Sequence, residues 1–255
     1  MSSPRSTTPH EQAAPWATGP GEILQHGLDL LKKDSDSTRR LSMISIDNAV
    51  ELMIKTYLGL PRRVTHIEIS RKEYGEKSES FPELLDLLEK YAPNKLEGVD
   101  LGEIEWYHRV RNELYHQGNG LTVERSKVEI YAQLARLLFR NLFGFNLEVG
   151  EVESEALGYF LNYWSEVEKV VSMLRTKRLS ERTTSASSAE EYPSRAEIVP
   201  QIMDHRSLAE FKDLQDIRNA IVHGEKTPGS DQLEMYIERT KRLINRLETQ
   251  LSSMH

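Results

Sequence analysis

A six-residue pattern that ends in histidine occurs twice in this chain, and its residue types suit acid–base chemistry. The first copy reads RNELYH at 111–116, and the second reads RNAIVH at 218–223. An imidazole titrates near neutral pH and can accept or donate a proton, and a guanidinium can grip a phosphate through two parallel hydrogen bonds. A site of this composition could cleave a phosphodiester without a metal ion.

Each copy is expected to end a helix, because a glycine follows the histidine within two residues. Residues four apart are neighbours on one helix face, so Asn112 lies beside His116 and Asn219 lies beside His223. Asparagine is a poor helix-interior residue. The occurrence of asparagine at the same point in both copies indicates a specific function for this side chain, such as orienting the imidazole.

The regions around the two copies have helical patterns in the same order. Apolar residues recur with helical spacing at 44–58 and 123–143 in the first half, and at 153–177 and 230–251 in the second. The stretch THIEIS at 65–70 is the one segment that alternates as a strand would. The repeated order therefore predicts an all-α fold of two tandem helical bundles.

The boundaries of these bundles follow from changes in composition. We expect a first domain at 21–148 and a second at 149–255. Residues 1–20 are rich in Pro, Ser and Thr and are expected to form a disordered tail. A low-complexity run predicts a mobile loop at 179–195 inside the second domain.

The composition is that of a globular protein with an acidic balance. The 255 residues include 40 acidic and 33 basic side chains, for a formal net charge of −7. This charge argues against a general nucleic-acid coat protein but allows a local basic groove. The chain has no cysteine, which excludes disulfides and thiol nucleophiles and fits a reducing cytoplasm. No apolar stretch approaches the roughly 20 residues of a membrane-spanning helix, so we expect a cytoplasmic protein without membrane association.

Short all-α domains whose motif helix ends in R-x4-H resemble the HEPN superfamily (higher eukaryotes and prokaryotes nucleotide-binding). RN-x3-H is a common form of the HEPN signature, and the resemblance covers most of the chain as two tandem copies. It implies that the two domains pack as a pseudo-dimer, so that Arg111 and His116 meet Arg218 and His223 in one composite catalytic cleft.

The resemblance also implies an activity. HEPN proteins include metal-independent endoribonucleases of toxin–antitoxin and antiphage abortive-infection systems. The implied reaction is attack of an RNA 2′-hydroxyl on its own phosphodiester, with no cofactor and no metal. RNA is the implied substrate, and the implied partners are an antitoxin, another protein of a defence complex, or a second copy of this chain in a homodimer.

Three further residues are expected to support the site. The family often has a polar residue in the earlier long helix, and Glu51 is the candidate, with Glu168 as its counterpart in the second half. That alignment pairs Asp47 with Trp164, and both glutamates are also compatible with solvated helix faces. Arg109 would raise the positive potential at the cleft and is expected to contact an RNA phosphate.

A non-catalytic alternative stays open at this point. HEPN proteins include inactive pairs, and arginine and histidine in a last helical turn are favourable for the helix dipole alone. Such a pair would bind RNA, a nucleotide or a protein without turnover. The family's tyrosine two residues after the motif histidine, a modification target in some members, is replaced here by Gly118 and Glu225.

Overall fold

The structure, a computed structural model, describes residues 15–116, 122–147, 155–183 and 195–254. In these ranges every regular element is a helix and no strand is present, which confirms the all-α prediction. The segment 66–70, which alternates as a strand would, runs between two short helices without regular structure.

The first half is built around three long helices and the helix that carries the first motif. The α-helices are α1 (Pro15–Leu31), α2 (Asp36–Gly59), α3 (Arg62–Thr65), α4 (Arg71–Lys77), α5 (Phe81–Tyr91), α6 (Leu101–His116) and α7 (Arg125–Phe143), with a 3-10 turn at Pro93–Lys95. A capping box begins α2, because the Ser35 side chain accepts from the Thr38 backbone and the Thr38 side chain accepts from the Ser35 backbone.

The second half has four helices in its described part. These are α8 (Glu155–Thr183), α9 (Arg195–Ile202), α10 (His205–Val222) and α11 (Ser230–Ser253). Asp204 begins α10 by accepting from two backbone N–H groups of the first turn. Gly224, with φ of +73°, follows the end of α10, as the glycine after the second motif predicts.

Two predicted boundaries are corrected by the helices. The expected tail at 1–20 is too long, because α1 begins at Pro15 and Ala17 is only 1% exposed against the core. A proline is tolerated in the first turn of a helix, so Pro15 does not prevent it. Residues 179–183 of the expected mobile loop belong to α8, where Leu179 packs against the core. Residues 1–14 and 184–194 lie outside the described residues.

The two halves share one apolar cluster. In the first half α1, α2 and α7 pack together, and in the second half α8 packs along α11. Helix α7 also contacts α8 and α10, and the buried cluster continues through both halves. The domain boundary expected at 148/149 falls among residues 148–154, outside the described residues. Within the described ranges, no helix combines the length and apolarity needed to cross a membrane.

Candidate functional site

Arg111 lies in a polar cluster between α2 and α6. Its Nε donates to Asp47 Oδ2 at 2.7 Å, its Nη1 to Asn112 Oδ1 at 2.9 Å and its Nη2 to Asn48 Oδ1 at 3.1 Å. Glu51 Oε2 stands 3.8 Å from Arg111 Nη2. The guanidinium is therefore held from three sides while 17% of its side chain remains exposed.

Asp47 is the centre of this cluster and is completely buried. In addition to Arg111, it accepts from the Tyr131 hydroxyl at 2.8 Å and lies 3.0 Å from His108 Nδ1. The His108 ring stacks on Phe81 with ring centroids 3.9 Å apart. A buried carboxylate is stable only when donors such as these surround it. Burial, together with the nearby Asp47 carboxylate, raises the pKa of Tyr131 well above its usual value.

Asp47, and not the expected Glu51, is therefore the principal carboxylate partner of Arg111. Asp47 was not among the predicted site residues. It follows Ile46 and precedes Val50 by three positions, within the buried stripe of α2. A charged residue inside an apolar helical stripe is the signal that could have identified it, because carboxylates are almost never fully buried unless they are paired.

Asn112 and Asn219 share a role that the sequence pattern did not indicate. Each side-chain oxygen accepts a hydrogen bond from the arginine next to it, at 2.9 Å from Arg111 Nη1 and at 3.3 Å from Arg218 Nη1. The described contacts of these asparagines thus orient the guanidinium, whereas the expected partner was the imidazole.

Arg218 forms a second cluster, and its partners come from the first half of the chain. Its Nη1 donates to the Glu103 carboxylate and its Nη2 donates to the Gly98 carbonyl at 3.1 Å. Arg218 is 4% exposed and Glu103 is 3% exposed. Burial raises the pKa of Glu103, and the Arg218 charge opposes this effect without cancelling it.

The other second-half residues surround this cluster. His223 caps α10, its imidazole is 46% exposed, and its Nε2 stands 3.9 Å from Glu103 Oε1. Glu168 accepts from the Gly98 backbone N–H at 2.9 Å and from Trp164 Nε1 at 3.2 Å. Glu168 therefore binds the backbone N–H of Gly98, and Arg218 binds its carbonyl. No described hydrogen bond joins the Glu168 and Arg218 side chains directly.

His116 and Arg109 of α6 were both predicted to belong to the site. His116 is the last residue of α6, and its side chain lies outside what the structure describes. Arg109 is 65% exposed, with Nη2 3.8 Å from Glu105 Oε1. It lines a groove of about 460 Å³ between α6 and the start of α7. Arg109 is thus accessible to a ligand, and its contact with RNA stays a prediction.

A pair of stacked tyrosine rings contacts both the Arg111 cluster and the end of α10. Tyr107 and Tyr131 lie parallel with centroids 4.6 Å apart. Tyr131 donates to Asp47 on one side, and the Tyr107 hydroxyl donates to the Val222 carbonyl at 2.8 Å on the other. In the described ranges no hydrogen bond or ion pair links Arg111 with the second motif. The expected composite cleft is therefore not assembled by these contacts.

The contacts between the halves also lack the reciprocity of a two-fold arrangement. Glu103 stands eight residues before Arg111, and Glu210 stands eight residues before Arg218. In an isologous pair, the contact of Glu103 with Arg218 would be matched by a contact of Glu210 with Arg111. Instead, Glu210 accepts from Arg239 Nε at 2.8 Å. Pseudo-dimer packing is not confirmed by these contacts.

Chemically, the Arg111 cluster can contact an anion, since its guanidinium is fixed by three hydrogen bonds and 17% of its side chain remains exposed. In the described part of the chain no group of three or more His, Asp or Glu is placed to hold a metal ion. Comparison of this chain with protein-family models, with curated proteins and with solved structures found no match. The resemblance to HEPN proteins therefore depends on the duplicated motif and its helical setting.

Proposed function

We propose that this chain is a metal-independent endoribonuclease whose reacting groups, Arg111 and His116, come from the first motif. The observation that carries the proposal is the fixed position of Arg111, which donates to Asp47, Asn48 and Asn112 through three of its N–H groups. A guanidinium has five N–H donors, so two are left for an anion. Donors that are already in place stabilise developing charge without reorganisation.

In the proposed reaction the RNA 2′-hydroxyl attacks the adjacent phosphorus, and the bond from phosphorus to the 5′-oxygen breaks. His116 takes the proton of the nucleophile or supplies one to the leaving oxygen, and Arg111 stabilises the charge on the phosphoryl oxygens. The products carry a 2′,3′-cyclic phosphate and a 5′-hydroxyl. A positioned acid or base contributes about 10²–10⁴-fold to the rate, and an aimed donor contributes about 10²–10³-fold.

The second motif has a structural role in this proposal. Arg218 is buried and donates to both Glu103 and Gly98. Turning Arg218 towards a phosphate would leave the Glu103 carboxylate buried without its partner, which is strongly unfavourable. His223 is therefore expected to be dispensable for cleavage. Action in the cytoplasm as a toxin or in antiphage defence follows from the HEPN resemblance.

The duplicated motif supplies a matched control for the test. Mixed total RNA is incubated in EDTA with the wild-type protein, with His116→Ala and with His223→Ala, and the fragment ends are analysed. Wild type and His223→Ala should release fragments with cyclic-phosphate ends, whereas His116→Ala should cleave at least about 10²-fold more slowly. Undiminished cleavage by His116→Ala would overturn the proposal. Equal loss in both variants would instead support the composite site.

A second candidate function is a non-catalytic module that binds RNA, a nucleotide or a protein. It is favoured by one observation: both motif arginines already have a buried carboxylate partner, Asp47 for Arg111 and Glu103 for Arg218. Under this hypothesis no form cleaves RNA, and a gel-shift assay shows the same RNA binding for wild type and His116→Ala. The two functions thus differ in turnover and in their dependence on His116.

A further inference from the structure

A cavity of about 840 Å³ lies where the two halves meet, apart from the Arg111 cluster. Helix α5, the segment 93–100 and the start of α6 form one wall, and α8, α9 and α10 form the other. Six carboxylates line it, against the two cations Arg175 and Arg218. The carboxylates are those of Asp86, Glu89, Glu97, Asp100, Glu105 and Glu168.

Four of these six carboxylates form no ion pair with a described residue. In the described part of the chain Asp86, Glu89, Glu97 and Asp100 form no ion pair, and the Asp100 carboxylate accepts only from the Gly102 backbone N–H. Burial raises the pKa of Glu97; the charge of Lys169 opposes this effect, and the negative charge of Glu168 adds to it. Like charges that share a site disfavour one another's ionised form. A cationic ligand would relieve this repulsion.

Both arginines that line the cavity have a buried N–H donor without an acceptor among the described residues. Arg218 is 4% exposed, and its Nε–H has no hydrogen-bond partner among the described residues. The Nε–H of Arg175 is likewise buried without a partner. A buried donor without an acceptor is costly, so such groups call for an acceptor from elsewhere. The ligand should therefore supply carbonyl or similar oxygens as well as positive charge.

We propose that this cavity binds a lysine- or arginine-rich peptide segment of a partner protein. The cationic side chains of such a peptide meet the carboxylates, and its backbone carbonyls lie on the side of the arginines. Leu85, Val99 and Val171 also line the cavity, and such apolar side chains suit the methylene stems of lysine and arginine. A polyamine offers no acceptor, and RNA is repelled by the carboxylates. This peptide site goes beyond the proposed nuclease function and does not depend on it.

The test uses a fluorescein-labelled octalysine peptide and fluorescence anisotropy at about 0.15 M salt, where weak long-range attraction is screened. The site variant is Asp86→Lys/Glu89→Lys, because both side chains are exposed on α5 and line the cavity. The control variant is Glu234→Lys/Glu248→Lys, two exposed positions on α11 with the same change in net charge. We expect at least a tenfold loss of affinity in the site variant and less than a twofold loss in the control.

Three outcomes would overturn the peptide site. The first is no binding to wild type, and the second is equal loss in the two variants, which would indicate general attraction to an acidic chain. The third is displacement of the peptide by spermine at the same or a lower concentration than unlabelled octalysine, which would indicate a small polycation as ligand. His116→Ala should bind the peptide as wild type does, so this result and the cleavage result are independent of each other.

Discussion

Arg218 of α10 donates to the carboxylate of Glu103 in α6, and both side chains are almost completely buried where the two halves meet. The corresponding arginine of the first motif, Arg111, pairs with Asp47 inside its own half. Two copies of one motif therefore place their arginines in different surroundings. Arg111 lies in a polar cluster with part of its side chain exposed, and Arg218 joins the two halves of the chain through a buried ion pair.

Replacing Arg218 by Met should lower the free energy of unfolding by about 3–5 kcal/mol, because the Glu103 carboxylate is left buried without its partner. The double variant Arg218→Met/Glu103→Gln should regain most of this loss, since the uncompensated charge is gone. Urea unfolding followed by circular dichroism gives both values. Arg242→Met, at an exposed position of α11, should stay within about 0.5 kcal/mol of wild type. An equally small change in unfolding free energy for Arg218→Met would show that the Arg218–Glu103 pair does not stabilise the contact between the halves.

The relative importance of Asp47 and Glu51 can be measured with two matched amide substitutions. Asp47→Asn removes the buried charge that faces Arg111 and should cost about 3 kcal/mol of unfolding free energy. Glu51→Gln should cost less than about 1 kcal/mol, because Glu51 is 30% exposed and stands 3.8 Å from Arg111 Nη2. Chemical denaturation of the two variants and the wild type measures both changes in unfolding free energy. If the order of the two effects were reversed, Glu51 would be the partner that holds Arg111.

Gly98 lies where the two halves of the chain meet, and Gly144 serves as its control position. Both have positive φ, at +76° and +85°, so alanine at either position costs about 1–2 kcal/mol in backbone strain. A Cβ at Gly98 would stand 2.7 Å from Ser165 Cβ, whereas a Cβ at Gly144 meets nothing within 4 Å. Gly98→Ala should therefore be less stable than Gly144→Ala by at least about 1 kcal/mol. Equal midpoints in thermal or urea unfolding would show that Gly98 is not closely packed.

The buried tyrosine pair should make the protein sensitive to alkali. Burial raises the pKa of Tyr107, with Glu103 adding to the effect, from the ordinary value of 10.0. Above about pH 10 the unfolded chain therefore releases a proton that the folded state keeps. The free energy of unfolding should then fall by about 1.4 kcal/mol per pH unit for this group.

Tyr107→Phe isolates this contribution. Below pH 9 the variant should be about 1 kcal/mol less stable than wild type, because the hydrogen bond to the Val222 carbonyl is lost. Above pH 10 the two stabilities should approach each other and then cross. Unfolding curves from pH 8 to 11 measure the difference, and a constant gap over this range would contradict the raised pKa.

The long helices, their order and the end of the second motif helix could be predicted from the sequence, because each depends on neighbours a few residues away. Helical spacing of apolar residues marks α2, α7, α8 and α11, and Gly224 marks the end of α10. The end of the tail was placed wrongly because residues 1–20 are rich in Pro, Ser and Thr, whereas tertiary packing buries one face of the helix that begins at Pro15.

The partners of the motif arginines were decided by tertiary structure alone. Glu103 lies 115 residues from Arg218 in the chain, and Asp47 lies 64 residues from Arg111. Local spacing carries no information about such contacts, because they depend on which helices pack together and on which carboxylates that packing removes from water. The sequence by itself therefore determined that two helix ends share the same spacing of arginine, asparagine and histidine. Only the packing of the helices left Arg111 partly exposed beside Asp47 and buried Arg218 against Glu103.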